Sequence, residues 1–393
     1  MAERKLKVLC FCDFYLPGYR AGGPIRTIAN MVLNLGDEID FHIVTRDRDF
    51  GSNEPYRGVA IDAWNTVGKA QVFYASPASL SSGALRQLIC ATPHDVLYLN
   101  SFLSPKFTAQ TLLLRRLGRL PASPVVLAPR GEFAPSALAI KRGKKKLYLA
   151  ATGALGLFRD LVWQASSERE VEDIRRVQGA RAQRIMVAPD LLAPPGDAPA
   201  ERLTRAPGPL RLVFLSRVSP MKNLDFLLRT LAKSKANLRL SIHGTRDEPA
   251  YWAECEGLIA ALPANVRVET SGAVAPEEVA SVFAAHDLFV FPTRGENFGH
   301  VIFESLAAGT PVLVSDQTPW RADSAGALES LPITEPSPWL AAIERWSALS
   351  ETELAARRAT AASYARDYLA TSPALEQNRT LFRAAAGLGR ANS

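Results

Sequence analysis

The chain of 393 residues is 47% hydrophobic and 22% charged, with a formal net charge of +7. That length predicts two cores rather than one, and the balance excludes the disordered and fibrous classes. No run reaches the roughly 18 apolar residues that a membrane-spanning helix needs, and the opening Met1 to Cys10 enters a strand without a signal-peptide pattern. Cys10, Cys12, Cys90 and Cys255 lack metal-ligand spacing and read as reduced thiols of a cytoplasmic protein.

Charge is unevenly placed. Up to Asp190 the chain carries 26 Lys and Arg against 17 Asp and Glu, a net of +9, and the remainder 20 against 22, a net of −2. Lys141, Arg142, Lys144, Lys145 and Lys146 form the densest run. A solvated helix face and a surface that docks on an anionic membrane are both open readings. Nucleic acid is not expected as a partner, because no interleaved aromatics accompany the charge.

In chain order, strands are predicted at 7–12, 41–45, 59–63, 71–74, 96–100, 125–128, 162–165 and 184–188. Helical periods fall between many of them, such as the stripe Ile25, Ile28, Ala29, Val32 and Leu33 behind Pro24. Residues 191–209 hold several prolines and glycines and break the pattern. Alternation resumes with strands at 210–215, 238–242, 266–269, 288–291 and 312–314, then helices at 337–349 and 351–367 and a last helix opening at Ser372-Pro373. The predicted organisation is an N-terminal Rossmann-like domain at 1–192, a linker at 193–209, a second Rossmann-like domain at 210–370, and a C-terminal helix at 371–393 that packs back on the first domain. Such α/β sheets bind ligands at the carboxyl ends of their strands.

The most informative stretch runs from Arg294 to Val314. A strand enters a turn carrying Glu296, and a helix then starts near Phe298 or Gly299 and ends around Gly309. Glu304 lies eight residues after Glu296. The N–H groups at such a helix mouth favour a phosphate, and the flanking carboxylates suit sugar hydroxyls. Upstream, Arg217 follows a strand and Lys222 begins the next helix, so two cations face the charge of a leaving diphosphate. Near the N-terminus, Gly22 and Gly23 permit close backbone approach between the first strand and first helix.

These motifs resemble the Glu-x7-Glu, Arg-x4-Lys and glycine-rich elements of family-four retaining glycosyltransferases of the group 1 type, and the segment Ala128 to Phe133 resembles the Pro-Arg-Gly segment of their bacterial polysaccharide biosynthesis branch. The resemblance is strongest from Leu210 to Trp320 and has Ser216 where the family has Gly. It implies the GT-B fold, two Rossmann-like domains facing each other across a cleft, with the acceptor on the first and a nucleoside-diphosphate-sugar donor on the second. Glu296, Arg217 and Lys222 are then the expected catalytic residues. Gly22, Gly23, Arg217, Lys222, Asn297, Phe298, Gly299 and Glu304 are the expected donor contacts. Asn100, where many relatives carry His, and Arg130 and Glu132, in a Pro-Arg-Gly segment, are candidate acceptor or sugar contacts, with an internal Arg–Glu pair as the other reading of the last two. No metal and no cofactor are expected. A glycan or polyprenyl-diphosphate-linked acceptor places the protein in the cytoplasm, peripheral at the inner membrane.

A sugar-nucleotide epimerase of the same fold and a non-catalytic sugar-nucleotide-binding subunit remain alternatives. A nicotinamide enzyme is disfavoured, because no Gly-x-Gly-x-x-Gly follows the first strand. Neither the base, the sugar nor the acceptor is named by these residues.

Overall fold

The computed structural model describes residues 4–140, 142–194 and 208–391. Most of the expected linker, and Lys141 of the basic run, lie outside them. The chain divides into two compact units, Met1–Ala193 with Pro373–Ser393, and Pro194–Ser372.

In the first unit the strands are β1 (Leu6–Cys12), β2 (Ile39–Arg46), β3 (Trp64–Val67), β4 (Ala70–Ala75), β5 (Val96–Asn100), β6 (Val125–Ala128), β7 (Leu161–Ala165) and β8 (Arg184–Val187). They form one sheet in the order β3-β4-β2-β1-β5-β6-β7-β8. Every pairing is parallel except β3 with β4. The helices are α1 (Gly23–Leu35), α2 (Ser82–Ala91), α3 (Gln110–Arg116), α4 (Pro135–Ala139), α5 (Arg142–Ala154) and α6 (Glu168–Gln178). The long apolar strands are buried along their length because helices cover both faces of a parallel sheet.

Two local expectations fail here. Residues 59–63 form no strand, because the Asn65 amide bonds Ala60 N (2.9 Å), Ala60 O (2.8 Å) and Ala63 O (2.9 Å) and curls the chain into a turn. On α1 the buried stripe is Ile25, Ile28, Met31, Val32 and Leu35, while Leu33 is 46% exposed. The helix starts two residues earlier than its apolar pattern suggests, with Gly22 at φ 70° and Pro24 in the first turn.

The second unit holds β9 (Leu210–Leu215), β10 (Leu238–His243), β11 (Val266–Ser271), β12 (Leu288–Phe291), β13 (Val312–Ser315) and β14 (Leu328–Leu331). All pair in parallel in the order β11-β10-β9-β12-β13-β14. Its helices are α7 (Leu224–Leu231), α8 (Pro249–Ala260), α9 (Val279–Ala284), α10 (His300–Ala307), α11 (Ser337–Ser347) and α12 (Glu351–Thr371). Strand β14 was not anticipated, since only Leu328 of its four residues is buried. This is the doubly wound strand order of a dinucleotide-binding sheet, and the direction of winding reverses between β9 and β12. The first sheet reverses in the same way between β1 and β5.

After α12 the chain returns to the first unit as α13 (Ala374–Ala391). Phe382 packs on Phe41 and Tyr98, with ring centroids 6.1 and 5.7 Å apart, and Asn378 donates to Pro189 O (2.8 Å). The Arg379 guanidinium binds both oxygens of Glu38. Among the described residues no helix is long and apolar enough to cross a membrane.

Candidate functional site

Reversal points of this kind leave a crevice at the carboxyl ends of the strands, where neighbouring loops diverge. In the second unit the crevice is bounded by the loops after β9 and β12, which carry Arg217, Lys222 and Glu296. Lys222 Nζ lies 2.6 Å from Glu296 Oε2, with side-chain exposures of 14% and 18%, and 5.2 Å over the Phe291 ring. Two groups 74 residues apart are thus one ion pair.

Backbone and side-chain bonds fix the two loops to each other. Asn223 is buried with φ 61°, donates to Pro292 O (3.0 Å) and accepts from Arg294 Nε (2.9 Å). Arg294 N donates to Met221 O (2.8 Å), and Glu296 N to Gln317 O (3.2 Å). Behind Arg217, Gly244 at φ 150° sits so close that a Cβ would lie 1.8 Å from Ser216 O. Only glycine fits there.

Glu296 precedes α10 and Glu304 lies within it, so the eight-residue spacing is part loop and part helix. Gly299 caps the helix at φ 85°, and a Cβ on it would meet Ile302 Cδ1 at 2.8 Å and Glu296 Cγ at 3.0 Å. The Glu296 stem therefore rests against the helix mouth, where the first-turn N–H groups carry partial positive charge. Phe298 is buried. Its carbonyl accepts from Trp320 Nε1 (2.6 Å) and its ring packs on Trp320 and His300. Trp320 stacks in turn on Tyr368 of α12 at 5.0 Å. Asn297 and Glu304 are half-buried, and Arg217 is exposed.

In the first unit, Gly22 and Gly23 end the loop after β1, with open space where their Cβ atoms would be. That loop is held from the other side, since Asp49 Oδ2 accepts from Tyr19 N (3.0 Å) and Arg20 N (3.3 Å). Across the reversal point, Asn100 ends β5, buried, with its Oδ1 accepting from Arg130 Nε (2.8 Å).

Arg130 and Glu132 do not pair. Arg130, at φ 55°, points inward and binds Asp190, Tyr98 Oη and Asn100. Burial works against its charge, but Asp190, Tyr98 and Glu170 hold its pKa above the usual value. Glu132 turns the other way, to Ser101 Oγ (2.8 Å), Phe102 N (2.6 Å) and Leu103 N (2.9 Å). Burial pushes its pKa up to about 7, against those hydrogen bonds. The left-handed residue between strand and turn sends the two side chains to different partners.

Four residues of these arrangements escaped sequence reasoning. Asn223 and Arg294 flank the expected Lys222 and Glu296, and adjacency was their only signal. Asp190 and Tyr98 have none, because their partner lies 60 and 32 residues away.

A solved structure of Anabaena Alr3699/HepE in complex with UDP and glucose aligns with TM-score 0.69 at 16% identity, over 97% of this chain and 100% of that one. WaaG, a glycosyltransferase involved in lipopolysaccharide biosynthesis, aligns with TM-score 0.62 at 16% identity, over 97% and 99%. The fold is therefore that of the GT-B glycosyltransferases, two Rossmann-like α/β domains. The D-inositol 3-phosphate glycosyltransferase of Rhodococcus erythropolis is 30% identical over 210 residues, which is 44% of this chain and 46% of that protein. The chain thus spans less than half the length of this curated relative. Residues 200–366, which carry Arg217, Lys222, Glu296 and Glu304, match the family model of the glycosyl transferases group 1.

Proposed function

We propose that the protein is a retaining glycosyltransferase, moving a sugar from a nucleoside-diphosphate-sugar to a glycan or polyprenyl-diphosphate-linked glycan in surface polysaccharide synthesis. The reading rests on the Lys222–Glu296 pair at the mouth of α10, inside the segment that matches the family. Lys222 and Arg217 take the charge that develops on the leaving diphosphate, a role that fixed cations fill without a metal. Glu296 accepts hydroxyls of the transferred sugar, and Glu304 the ribose. The bond from anomeric carbon to phosphate oxygen breaks, the acceptor oxygen bonds to the same face, and the acceptor proton passes to the leaving phosphate.

UDP is the first nucleotide to try, because the Anabaena structure holds it. A second reading of the acceptor, an inositol phosphate, comes from the Rhodococcus relative. Calorimetry with UDP, GDP and ADP, then labelled UDP-sugars offered with lipid-linked glycan or D-inositol 3-phosphate, tests both readings. The expected result is label in a glycan with the donor's anomeric configuration. Isomerised donor without transfer would show an epimerase, and tight donor binding without turnover a binding subunit. Loss of activity in chelator, restored by magnesium or manganese, would overturn the role given to Arg217 and Lys222.

A further inference from the structure

The loops after β9 and β12 carry Arg217, Lys222 and Glu296, whereas the loop after β13, residues 316–321, carries none of the expected site residues. Its part in the arrangement is a row of hydrogen bonds onto the loop after β12, begun by the last residue of β13. Ser315 Oγ donates to Thr293 O (2.5 Å), Gln317 O accepts from Glu296 N (3.2 Å), and Trp320 Nε1 donates to Phe298 O (2.6 Å). The last of these is enclosed, since Trp320 and Phe298 are both buried. Trp320 is itself held in place. Its backbone N–H donates to Thr318 Oγ1 (3.2 Å), and its ring stacks on Tyr368, which stacks in turn on Tyr364.

A peptide group is planar and trans, so the carbonyl of Phe298 and the N–H of Gly299 point in opposite directions. With the carbonyl turned to the buried indole, that N–H is turned away from it, at the mouth of α10 that Gly299 caps. The reverse orientation is open to the backbone. It would carry Gly299 from φ 85° to negative φ, where any residue is at ease. It would also set a carbonyl oxygen where the mouth now offers a donor to an anion. Local backbone preference therefore does not choose the observed orientation, and the indole does.

We infer that Trp320 is a positioning residue for the donor, its indole N–H holding the Phe298–Gly299 peptide with the N–H toward the diphosphate and the carbonyl away from it. The identity of the anion rests on the transferase reading, and the inference adds to it a residue that touches no substrate. Packing alone would need the rings of Trp320 against Phe298 and Tyr368 but not its N–H.

Trp320→Phe keeps an aromatic ring and removes the donor. Replacing Trp320 by benzothienylalanine keeps the whole bicyclic shape and removes the same donor, so it serves if the smaller ring loosens the fold. UDP is titrated by calorimetry and uridine by competition, on the full-length parent and both variants, and crystal structures of the variants are solved. The expected result is a loss of about tenfold or more in UDP affinity, with uridine changed by no more than about twofold, because only UDP carries the phosphates. The crystal structures should show the Phe298–Gly299 peptide reversed. Unchanged UDP affinity overturns the proposal. Equal losses of UDP and uridine overturn it too, and leave Trp320 as packing. A peptide that keeps its orientation in the benzothienylalanine variant overturns it whatever the affinities. If the parent binds neither UDP, GDP nor ADP, the transferase reading falls, and the peptide orientation in that variant alone decides the inference.

Discussion

Replacing Glu296 with Gln should separate nucleotide binding from turnover in a direction that simple loss of a ligand contact would not give. Lys222 Nζ and Glu296 Oε2 are 2.6 Å apart with little exposure. At an effective dielectric constant near 20 that separation corresponds to about 6 kcal/mol of gross attraction, much of it offset by desolvation. A diphosphate arriving at Lys222 must compete with this carboxylate and lie close to its negative charge. Glutamine keeps the shape and one acceptor oxygen but removes the charge. UDP should then bind more tightly by roughly 1.5 to 2 kcal/mol, at the lower end of the range for hydrogen bonds to charged groups. Turnover should fall by about a hundredfold or more, because the amide accepts the sugar hydroxyls less strongly in the transition state. Calorimetry with UDP and single-turnover kinetics with the UDP-sugar give the two numbers. Weaker UDP binding by Glu296→Gln, or turnover within a few-fold of the parent, would refute the reasoning. Lys222→Met is the control and should weaken UDP and slow transfer together.

Glu304→Ala should weaken UDP binding by about 1 to 3 kcal/mol while turnover at saturating donor changes less, and calorimetry beside initial rates checks the split. Glu132 has a folded pKa of about 7 against 4.5 unfolded. Its favourable contribution is therefore complete below pH 4.5 and is lost as pH rises through 7, on the order of 3 kcal/mol in all. Glu132→Gln, which still accepts from the 102 and 103 amides, should be stabilised relative to the parent at pH 8 and not at pH 4, as read by urea unfolding. Arg130→Met should cost about 3 to 5 kcal/mol, because it leaves Asp190 buried without its counter-ion. Arg130→Met with Asp190→Asn should recover much of that loss in the same assay.

The sheets were legible because β5, β6, β9 and β12 are short apolar runs bounded by loops, a pattern set by burial on both faces. Strand β3 was misplaced because its position follows from the Asn65 side chain folding back on Ala60, which no apolar pattern records. The donor-side residues were readable as types at spacings. That Lys222 and Glu296 neutralise each other was not, since the contact depends on which loops the sheet order makes neighbours. Arg130 and Glu132 show the converse. Proximity in sequence suggested a pair, and one left-handed backbone residue sent the two side chains to Asp190 and to the amides after β5. Polar partners distant in sequence are chosen by topology, and topology is read only once the sheets are built.

The return of α13 makes the second unit an insertion within the first. On the ribosome, all eight strands of the first sheet emerge before the helix that covers Phe41 and Tyr98. The first unit must therefore wait, with part of its core uncovered, through the synthesis of some 180 intervening residues. The second unit is continuous in sequence and can close as soon as it leaves the exit tunnel. The second unit thus closes its core with contacts of its own, whereas the first is sealed only by a helix that follows the whole of the second.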